Sequence, residues 1–446
     1  MCKDYVAVIQ AGGQGTRMRA LTKDLIPKPM LLLNGKPMIQ WQVENVAKYG
    51  IRDFVFIVGH LGEKIKEYFG DGKHFGVRIR YVEETEPLGS AGALYYLKDM
   101  VSVKSFLLIY GDVMFCLDWQ RMIAFHEKNN AKATLLVHPN AHPYDSDLLI
   151  LDEENHVKGI DSKQNKRTYW YENCVNAGLY ILSSDMLKNW DTLQKLDLEK
   201  DILSPMMAEN EVYGYRTPEY VKDAGTPERF HKVEAEKAAG VWEAKCLDRK
   251  QRCVFLDRDG TLNQYKGLIY REDQLELEKN AAAAVRLLNG AGFLVIVATN
   301  QPVVARGLCE LEKVEEIHRK LQVLLGEQGA YLDDIVFCPH HPDKGYPEEN
   351  PQYKVVCGCR KPAAGMIDAM VKKYNIDIRS SYVVGDSTVD IEMGIRAGLK
   401  TILVETGQGG RDGKFSVSPD AVKRDVKDAA KFILQEFQKE EQHGRL

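Results

Sequence analysis

The segment Asp257-Arg258-Asp259-Gly260-Thr261 directly follows residues 253–256, an apolar run that is typical of a buried strand. Side chains two residues apart on an extended chain point to the same side, so Asp257 and Asp259 form a carboxylate pair at the strand end. Gly260 then permits a sharp turn. Because neighbouring carboxylates repel each other and are ligands for Mg²⁺, the segment predicts a magnesium-dependent site for phosphoryl transfer. A plain Asp-Gly turn is the alternative for this motif alone.

Length, charge and cysteine content limit the class of protein. The chain has 446 residues, too many for one hydrophobic core, which predicts two domains. Its net charge of -4 gives no reason to expect nucleic acid or an anionic membrane as a partner. No apolar run approaches the length of a membrane span, and residues 5–9 have the pattern of a first strand instead of a signal peptide. The uneven spacing of the nine cysteines favours a reducing, cytoplasmic compartment and one metal site over a disulfide framework.

Both halves of the chain alternate short apolar strands with amphipathic helical segments, which is typical of α/β domains. In the first half, a mainly parallel sheet is predicted from the apolar residues 54–58, 106–109 and 133–137. In the second half, strands are predicted at residues 253–256, 293–298, 335–337, 382–384 and 401–404, and a helix from the apolar stripe Leu311, Val314, Ile317, Leu321 and Leu324. The predicted organisation is a first domain over 1–235, a charged helical connector over 236–251, a second domain over 252–430, and a C-terminal surface helix over 431–446.

Three further motifs of the second half follow predicted strands or precede a predicted helix. A hydroxyl in Thr299-Asn300-Gln301 can bind a phosphoryl oxygen, or it can cap a helix. The basic pair Arg360-Lys361 can neutralise a transferring phosphoryl group, with a solvated pair as the alternative. Asp386 can complete a Mg²⁺ site with Asp257 and the main-chain carbonyl of Asp259. Because strand ends of a doubly wound sheet converge on one crevice, these motifs are expected to meet.

Four motifs resemble, in their order, those of the haloacid dehalogenase superfamily of phosphatases, over roughly residues 252–406: Asp257-x-Asp259-Gly260-Thr261, Thr299, Lys361 and Gly385-Asp386. The resemblance implies a doubly wound parallel sheet and a covalent aspartyl-phosphate. It implies that Asp257 attacks phosphorus, and that Asp259 protonates the leaving oxygen and then activates water. Thr299 and Lys361 would hold the phosphoryl oxygens. Mg²⁺ would bridge Asp257 and Asp386.

A pattern of sulfur and imidazole ligands lies between Thr299-Asn300-Gln301 and Arg360-Lys361. Cys338, His340, Cys357 and Cys359 have the spacing of a tetrahedral Zn²⁺ site. The segment between them is rich in Pro, Asp, Glu and Gly and has no apolar face, so a metal ion is a plausible means of ordering it. We therefore predict a structural zinc loop, with a flexible loop of reduced thiols as the alternative.

This loop narrows the resemblance to the D-glycero-D-manno-heptose 1,7-bisphosphate phosphatases, with histidinol-phosphate phosphatases as close relatives. The motifs Thr299-Asn300-Gln301 and Ala305-Arg306-Gly307 also fit the heptose group. The residues expected to bind the substrate of this domain are Arg258, Asn300, Gln301, Arg306 and Arg360.

The first predicted strand leads into the Gly-rich residues 10–17, where main-chain N–H groups can approach phosphate oxygens. No Gly-Lys in the chain is followed by Ser or Thr, and Met18 replaces the third glycine of a dinucleotide fingerprint. The loop is therefore neither a P-loop nor a dinucleotide site. Arg17 and Lys28 supply positive charge instead, although a plain loop is the alternative.

Two carboxylates further along the first half, Asp112 and Asp223, can jointly hold Mg²⁺ on the phosphates of a nucleotide, with turn or cap roles as the alternative. With the Gly-rich loop they resemble the sugar-nucleotidyltransferases, which implies a Rossmann-like, GT-A-like mixed sheet. The motifs that carry this resemblance are Gly12-Gly13-x-Gly15-Thr16-Arg17, Pro27-Lys28-Pro29, Glu86-Pro87-Leu88-Gly89-Ser90-Ala91-Gly92, Gly111-Asp112, Asn176-Ala177-Gly178 and Asp223-x-Gly225-Thr226-Pro227.

The implied reaction is in-line attack by a sugar 1-phosphate on the α-phosphorus of a nucleoside triphosphate, with release of pyrophosphate. The resemblance implies that Arg17 and Lys28 stabilise the phosphates and that Asp112 and Asp223 hold Mg²⁺. The residues implied in substrate binding are Gly12, Gly13, Gly15 and Thr16 in the loop, Leu88, Gly89 and Ser90 at the base, and Asn176 and Gly178 at the sugar. The similarity to heptose 1-phosphate and mannose 1-phosphate guanylyltransferases favours GTP.

The two implied reactions are consecutive, because a phosphatase that leaves a sugar 1-phosphate makes the substrate of a nucleotidyltransferase. The sequence hypothesis is a bifunctional enzyme whose partners are sugar phosphates and a nucleoside triphosphate, whose product would feed surface polysaccharide assembly, and which is compatible with a homo-oligomer. Three alternatives stay open: a histidinol-phosphate-type phosphatase, a transferase for mannose or glucose 1-phosphate, and a non-catalytic N-terminal module that senses nucleotide sugars.

Overall fold

The computed structural model describes residues 4–188, 190–345 and 347–443. Residue contacts divide the chain into an N-terminal unit, which comprises Met1–His138, Asp147–Ser162 and Cys174–Cys246, and a C-terminal unit, which comprises Pro139–Ser146, Lys163–Asn173 and Leu247–Leu446. The boundary after Cys246 lies inside the stretch that was expected to be a connector. The segments Pro139–Ser146 and Lys163–Asn173 are grouped with the C-terminal unit, although they precede the expected connector in the chain. No feature of the sequence predicts this grouping. Within the described residues, no helix combines the length and the apolar character needed to cross a membrane.

The N-terminal unit is built on a mixed sheet with the strand order β10-β9-β11-β6-β1-β4-β5, in which β8 also pairs with β11 and β12. The strands of the unit are β1 (Val6–Ala11), β2 (Leu32–Leu33), β3 (Lys36–Pro37), β4 (Asp53–Val58), β5 (Arg78–Glu83), β6 (Ser105–Tyr110), β7 (Val113–Cys116), β8 (Ala133–His138), β9 (Leu148–Leu151), β10 (Val157–Asp161), β11 (Val175–Ser183), β12 (Val212–Arg216) and β13 (Tyr220–Asp223). Strands β2 and β3 form a separate two-stranded sheet, and so do β7 and β13. Strands β5, β4, β1 and β6 are parallel, whereas β11 is antiparallel to β6. The mixed sheet expected from the family resemblance is confirmed.

Both faces of this sheet are covered, because alternate residues of β1 belong to different hydrophobic clusters. Ala7 and Ile9 pack in one cluster, and Val6 and Val8 pack in the other. The helices of the unit are α1 (Arg19–Thr22), α2 (Met38–Lys48), α3 (Gly62–Phe69), α4 (Trp119–Lys128), α5 (Ser204–Ala208), α6 (Pro227–Ala238) and α7 (Val241–Ala244).

The end of the N-terminal unit is anchored by its last two helices. Thr226 caps α6 by accepting a hydrogen bond from the main-chain nitrogen of Arg229 at 3.3 Å, and Pro227 is the first helical residue. Trp242 of α7 is buried and stacks on Tyr220 with 5.2 Å between the ring centroids. Helix α7 is thus part of the core of the N-terminal unit.

The C-terminal unit has an all-parallel sheet with the order β16-β15-β14-β17-β18-β19. Its elements are β14 (Cys253–Leu256), α8 (Ala281–Gly290), β15 (Leu294–Asn300), α9 (Leu311–Gly326), β16 (Asp334–Cys338), α10 (Gly365–Tyr374), β17 (Tyr382–Gly385), α11 (Thr388–Ala397), β18 (Lys400–Val404), β19 (Ala421–Lys423) and α12 (Val426–His443). The doubly wound parallel sheet expected from the sequence is confirmed. From β14, the chain first adds β15 and β16 on one side and then β17, β18 and β19 on the other. This change of direction puts the carboxyl ends of β14, β15 and β17 at one crevice.

Helix α12 begins at Val426, five residues before the predicted start, because its first turns carry apolar residues. Val426, Ala429, Ala430 and Ile433 are buried in the same cluster as residues of α8. The charged pattern that begins at residue 431 predicted only the later part of this helix. Because its first turns are buried, α12 is amphipathic and contributes to the core.

Helix α11 lies so close to the sheet that Gly394 cannot carry a side chain without a shift. A Cβ atom on Gly394 would lie 2.2 Å from Cγ1 of Val383 and 2.7 Å from Cγ2 of Thr401. We expect Gly394→Ala to lower the free energy of unfolding of the C-terminal unit by about 1–3 kcal/mol, because the core must open to accept the methyl group. Urea unfolding followed by circular dichroism measures this change.

Gly290, the last residue of α8, is a matched control. No atom lies within 4 Å of a Cβ placed there. Gly290→Ala should therefore leave stability unchanged or raise it by up to about 1 kcal/mol. Equal effects of the two substitutions would contradict close packing of α11 on the sheet.

Candidate active sites

The crevice of the C-terminal unit gathers three buried carboxylates. Asp257 follows β14, Asp386 follows β17, and Asp390 lies in the first turn of α11. Each residue offers an oxygen atom, and these oxygens all lie within 4.8 Å of one another. Gly260 permits the approach, since a Cβ atom there would lie 2.1 Å from Oδ2 of Asp386. The sequence prediction that Asp257 and Asp386 meet is therefore consistent with this geometry, and a divalent cation fits the donor set.

Lys361 is the cation that compensates this cluster. Its Nζ atom lies 2.6 Å from Oδ1 of Asp257 and 2.6 Å from Oδ1 of Asp390. Burial raises the pKa of Asp257 and of Asp386 above the usual carboxyl range, with a further contribution from the neighbouring negative charges, whereas Lys361 opposes the shift. Although burial acts to lower the pKa of Lys361, the carboxylates of Asp257 and Asp390 raise it above its usual range.

Asp390 has no assigned role in the sequence analysis. Its Oδ2 atom accepts hydrogen bonds from the side chain and the main-chain nitrogen of Ser387, which caps α11, at 2.6 and 3.2 Å. Its Oδ1 atom accepts from Lys361. The only signal in the sequence is its position four residues after Asp386, which is also where an ordinary capping residue occurs.

The carboxylate of Asp259 is held outside this cluster by three donors. Gln301 Nε2 lies 2.7 Å and Arg258 Nη2 lies 2.9 Å from its Oδ2 atom, and Asn263 Nδ2 lies 3.0 Å from its Oδ1 atom. Arg258 is fully buried and also donates to Gln301 Oε1 at 2.9 Å. Its visible role is to fix the orientation of Asp259, while the contact with substrate predicted for Arg258 stays a prediction.

Two further predicted residues, Thr299 and Asn300, lie at the end of β15. Asn300 Oδ1 accepts from the main-chain nitrogen of Lys361 at 3.0 Å, and Asn300 Nδ2 donates to its carbonyl at 3.2 Å. Thr299 is buried, and its hydroxyl accepts from Gln301 at 3.0 Å. Asn300 therefore connects the end of β15 to the lysine.

The sulfur and imidazole ligands predicted for zinc come together. The three Sγ–Sγ distances among Cys338, Cys357 and Cys359 are 3.2, 3.3 and 3.5 Å, and Nδ1 of His340 lies 3.6 Å from Cys338 Sγ and 3.4 Å from Cys359 Sγ. Zinc–sulfur bonds of about 2.3 Å in a tetrahedron require sulfur atoms about 3.8 Å apart. The four donors therefore fit a tetrahedral metal ion with a small outward adjustment.

This cluster is connected to the basic pair that follows it. Arg360 Nη1 donates to the carbonyl of His340 at 3.0 Å. The Nη2 atom of Arg306 lies 3.4 Å from Nε2 of His341, the neighbour of that histidine. Two of the predicted substrate-binding arginines thus lie at the cysteine–histidine loop.

The N-terminal unit contains a cavity of about 850 Å³ at the carboxyl ends of β1, β4 and β6. Most of the predicted residues line this cavity, namely Gly12, Gly13, Gly15, Thr16, Arg17, Lys28, Gly89, Ser90 and Asp112. Leu88, the neighbour of Gly89, is buried. Gly12 is needed for the close approach of the loop, because a Cβ atom there would lie 2.6 Å from Oε2 of Glu84.

The main chains of Asp112 and Asp223 lie side by side. Strands β7 and β13 pair Asp223 with Val113, and the main-chain nitrogen of Ala224 donates to the Asp112 carbonyl at 2.8 Å. Oδ2 of Asp112 is 2.6 Å from Nζ of Lys28, a largely buried lysine. The Asp223 carboxylate pairs with Arg229.

Arg17 and Asp223 both lie close to Gly225. A Cβ atom on Gly225 would lie 2.5 Å from Oδ1 of Asp223 and 3.1 Å from Nη2 of Arg17. The Gly-rich loop, Lys28 and Asp112 line the cavity, and Asp223 lies next to Gly225, which also lines it.

The sugar-side residues predicted on β11 lie beside the cavity wall. Gly178 has a φ of +70°, and a Cβ atom there would lie 2.8 Å from Cδ2 of Tyr110, which lines the cavity. Asn176 donates to the hydroxyl of Tyr180 at 3.2 Å and to the carboxylate of Glu199. The sequence does not indicate Tyr110 or Glu199 as site residues. For Glu199, no regular spacing links it to the other motifs.

Comparison with known proteins supports two families in one chain. Residues 6–240 match the family described as Nucleotidyl transferase, and residues 358–429 match the HAD-hydrolase-like family. The chain is 28% identical to a mannose-1-phosphate guanylyltransferase of Mycobacterium tuberculosis over 257 residues, which are 57% of this chain and 70% of the relative.

The C-terminal part is similar to phosphatases along most of their length. It is 39% identical to a D-glycero-D-manno-heptose-1,7-bisphosphate 7-phosphatase of Thermosynechococcus vestitus over 187 residues, which are 40% of this chain and 94% of the relative. It is 38% identical to a D-glycero-beta-D-manno-heptose-1,7-bisphosphate 7-phosphatase of Haemophilus ducreyi over 160 residues, which are 35% of this chain and 85% of the relative. Both resemblances drawn from the sequence are confirmed. The chain is an enzyme with a sugar-1-phosphate nucleotidyltransferase part and a phosphatase part, and it belongs to the nucleotidyl transferase family and, through its C-terminal part, to the heptose-bisphosphate 7-phosphatase family.

Proposed function

We propose that the chain catalyses two consecutive reactions. The C-terminal unit removes the 7-phosphate of D-glycero-D-manno-heptose 1,7-bisphosphate, and the N-terminal unit transfers a guanylyl group from GTP to the resulting heptose 1-phosphate. The observation that carries this proposal is the presence, in one chain, of similarity to 7-phosphatases and to a guanylyltransferase. The product of the first reaction is a sugar 1-phosphate, which is the substrate class of the second.

In the phosphatase reaction, a carboxylate oxygen of Asp257 attacks the phosphorus atom, and the bond between phosphorus and O7 breaks. Asp259 gives its proton to the leaving O7 and then takes a proton from the water that hydrolyses the aspartyl-phosphate. Thr299 and Lys361 would bind the phosphoryl oxygens. The contacts of Asp259 with Arg258, Asn263 and Gln301 support this role, because they fix its orientation beside the crevice.

Magnesium would be held by Asp257, Asp386 and the main-chain carbonyl of Asp259, and bound Mg²⁺ supplies positive charge that stabilises the phosphoryl oxygens. The buried carboxylate cluster supports this assignment, since it holds three carboxylates and Lys361 forms ion pairs with two of them. Zinc would be held by Cys338, His340, Cys357 and Cys359 and would order the loop that carries Arg360 and Lys361.

In the transferase reaction, a phosphate oxygen of the sugar 1-phosphate attacks the α-phosphorus of GTP, and pyrophosphate leaves. The loop of Gly12, Gly13, Gly15 and Thr16 would bind the triphosphate through main-chain N–H groups. Arg17 and Lys28 would neutralise the charge that develops on it. Asp112 and Asp223 would hold Mg²⁺, which supplies further positive charge at the phosphates.

The product spectrum tests the proposal directly. The full-length enzyme is incubated with heptose 1,7-bisphosphate, Mg²⁺ and each of the four common nucleoside triphosphates, and the products are identified by mass spectrometry. We expect a nucleotide heptose without the 7-phosphate, formed with GTP. Dephosphorylation without any nucleotide sugar would contradict the transferase half of the proposal.

The two activities should be separable by matched substitutions. Asp257→Asn should lower phosphate release by about 1,000-fold or more, because it removes the nucleophile, and should leave pyrophosphate release from GTP and heptose 1-phosphate unchanged. Asp112→Asn should have the reverse effect. Each variant is the control for the other, measured by phosphate and pyrophosphate release. Loss of both activities in either variant would rule out independent sites.

Removal of one cysteine ligand tests the zinc assignment. Cys357→Ser should reduce the zinc content from about one ion per chain to a small fraction and lower phosphatase turnover by about 10- to 100-fold, while the transferase keeps its rate. Elemental analysis and phosphate release measure the two effects. Cys309→Ser, which changes a cysteine of the same unit outside the cluster, is the control. Unchanged zinc content in Cys357→Ser would remove the assignment.

A further inference from the structure

His318 is a buried histidine of α9 that the proposed reactions leave without a role. It lies four residues after Val314 and three before Leu321, on the same face of the helix as the apolar stripe. Its ring packs edge to face against Phe337 of β16, with 4.9 Å between the ring centroids. A polar ring on this face needs a hydrogen-bond partner, and Nη1 of Arg258 lies 3.2 Å from its Nε2 atom.

This partner decides which form of the imidazole is present. A guanidinium group has only donors, so Nε2 of His318 accepts and the ring proton lies on Nδ1. Burial lowers the pKa of His318 well below its usual range, and the positive charges of Arg258 and Arg319 lower it further. His318 is therefore a neutral hydrogen-bond acceptor, which is the form that can bind an arginine.

The contact with His318 completes the hydrogen bonds that hold the guanidinium group of Arg258. Its Nε atom lies 3.2 Å from Oδ1 of Asp259, and its Nη2 atom lies 3.0 and 2.9 Å from the two carboxylate oxygens of that residue. Nη2 also donates to Gln301 at 2.9 Å. Nη1 donates to His318. Because the guanidinium group is planar, an acceptor at Nη1 restricts the rotation of the edge that faces Asp259.

The contacts that begin at α9 thus end at the carboxylate that moves protons in the proposed phosphatase reaction. Asp259 gives a proton to O7 and later takes one from water, and both transfers need the carboxylate at a defined place. We propose that His318 is a positioning residue of the phosphatase: by fixing Arg258, it holds Asp259 in the orientation that both proton transfers require. This proposal rests on the proposed phosphatase reaction and adds a residue of α9 to it.

Steady-state phosphate release from heptose 1,7-bisphosphate by the full-length enzyme tests the proposal. His318→Leu removes the acceptor, and we expect kcat to fall about ten-fold or more while KM stays within about two-fold, because no substrate contact changes. His318→Gln, whose side-chain oxygen can take the place of Nε2, should restore most of the rate. Ile317→Val removes a buried methyl group from the same helix, so it controls for packing and should keep the wild-type kcat.

A substrate with a better leaving group separates the positioning of Asp259 from a general loss of structure. Since 4-nitrophenolate leaves without a proton, the first turnover of 4-nitrophenyl phosphate by His318→Leu should keep the wild-type rate. Later turnovers, which need Asp259 to activate water, should slow about ten-fold. Stopped-flow absorbance measures both phases within one variant, so the folded fraction does not affect the comparison. His318→Asn, which is too short to reach Arg258, is the second variant and should give the same two phases.

Three results would overturn the proposal and leave the phosphatase reaction standing. The first is a kcat of His318→Leu within about two-fold of wild type, and the second is a His318→Gln variant as slow as His318→Leu. The third is equal slowing of the first and later turnovers of 4-nitrophenyl phosphate, which would make the role of His318 purely structural. Absence of phosphate release from heptose 1,7-bisphosphate by wild type would instead overturn the phosphatase reaction and this proposal together.

Discussion

The buried ion pairs of Lys361 with Asp257 and Asp390 are the interaction on which the phosphatase site depends. Three carboxylates converge at the carboxyl ends of β14 and β17, where water is largely excluded. Breaking a buried ion pair by removing one partner costs about 3–5 kcal/mol, so the cluster needs its lysine even before a metal ion binds. The strand order brings the acids together, and the positive charge of Lys361 offsets the repulsion between them.

Two features of the structure lie next to Lys361 and hold it in position, namely the end of β15 and the cysteine–histidine cluster. Asn300 at the end of β15 binds both main-chain groups of Lys361, and the cysteine–histidine cluster ends two residues earlier at Cys359. A loop without an apolar face cannot hold a charged side chain in a buried position by packing. Hydrogen bonds to a strand end can do so, and a metal ion bound by the four cysteine and histidine donors would act in the same way.

The N-terminal unit uses a similar arrangement with less burial. Lys28 pairs with Asp112 at the cavity, and Asp223 comes beside Asp112 through the pairing of β7 with β13. In both units the charged groups lie at the carboxyl edge of a parallel part of the sheet, and glycines such as Gly12 and Gly260 allow backbone to approach carboxylates closely. These shared features follow from α/β architecture, in which strand ends converge while helices cover the faces.

The sequence by itself determined the elements whose signals are local. The apolar runs predicted β1, β4, β6 and β8 of the N-terminal unit and β14 to β18 of the C-terminal unit. The motifs after Leu256 and Val384 indicated the acid pair and its partner, and the spacing of Cys338, His340, Cys357 and Cys359 indicated a metal cluster. Only the tertiary structure decided the contacts between residues far apart in the chain. Asp390 could have been an ordinary capping residue, Arg258 is buried as a support for Asp259, and Glu199 has no motif that links it to Asn176. The reason is physical: periodicity and turn residues act over a few positions, whereas the pairing of buried charges depends on which strand ends the sheet order brings together.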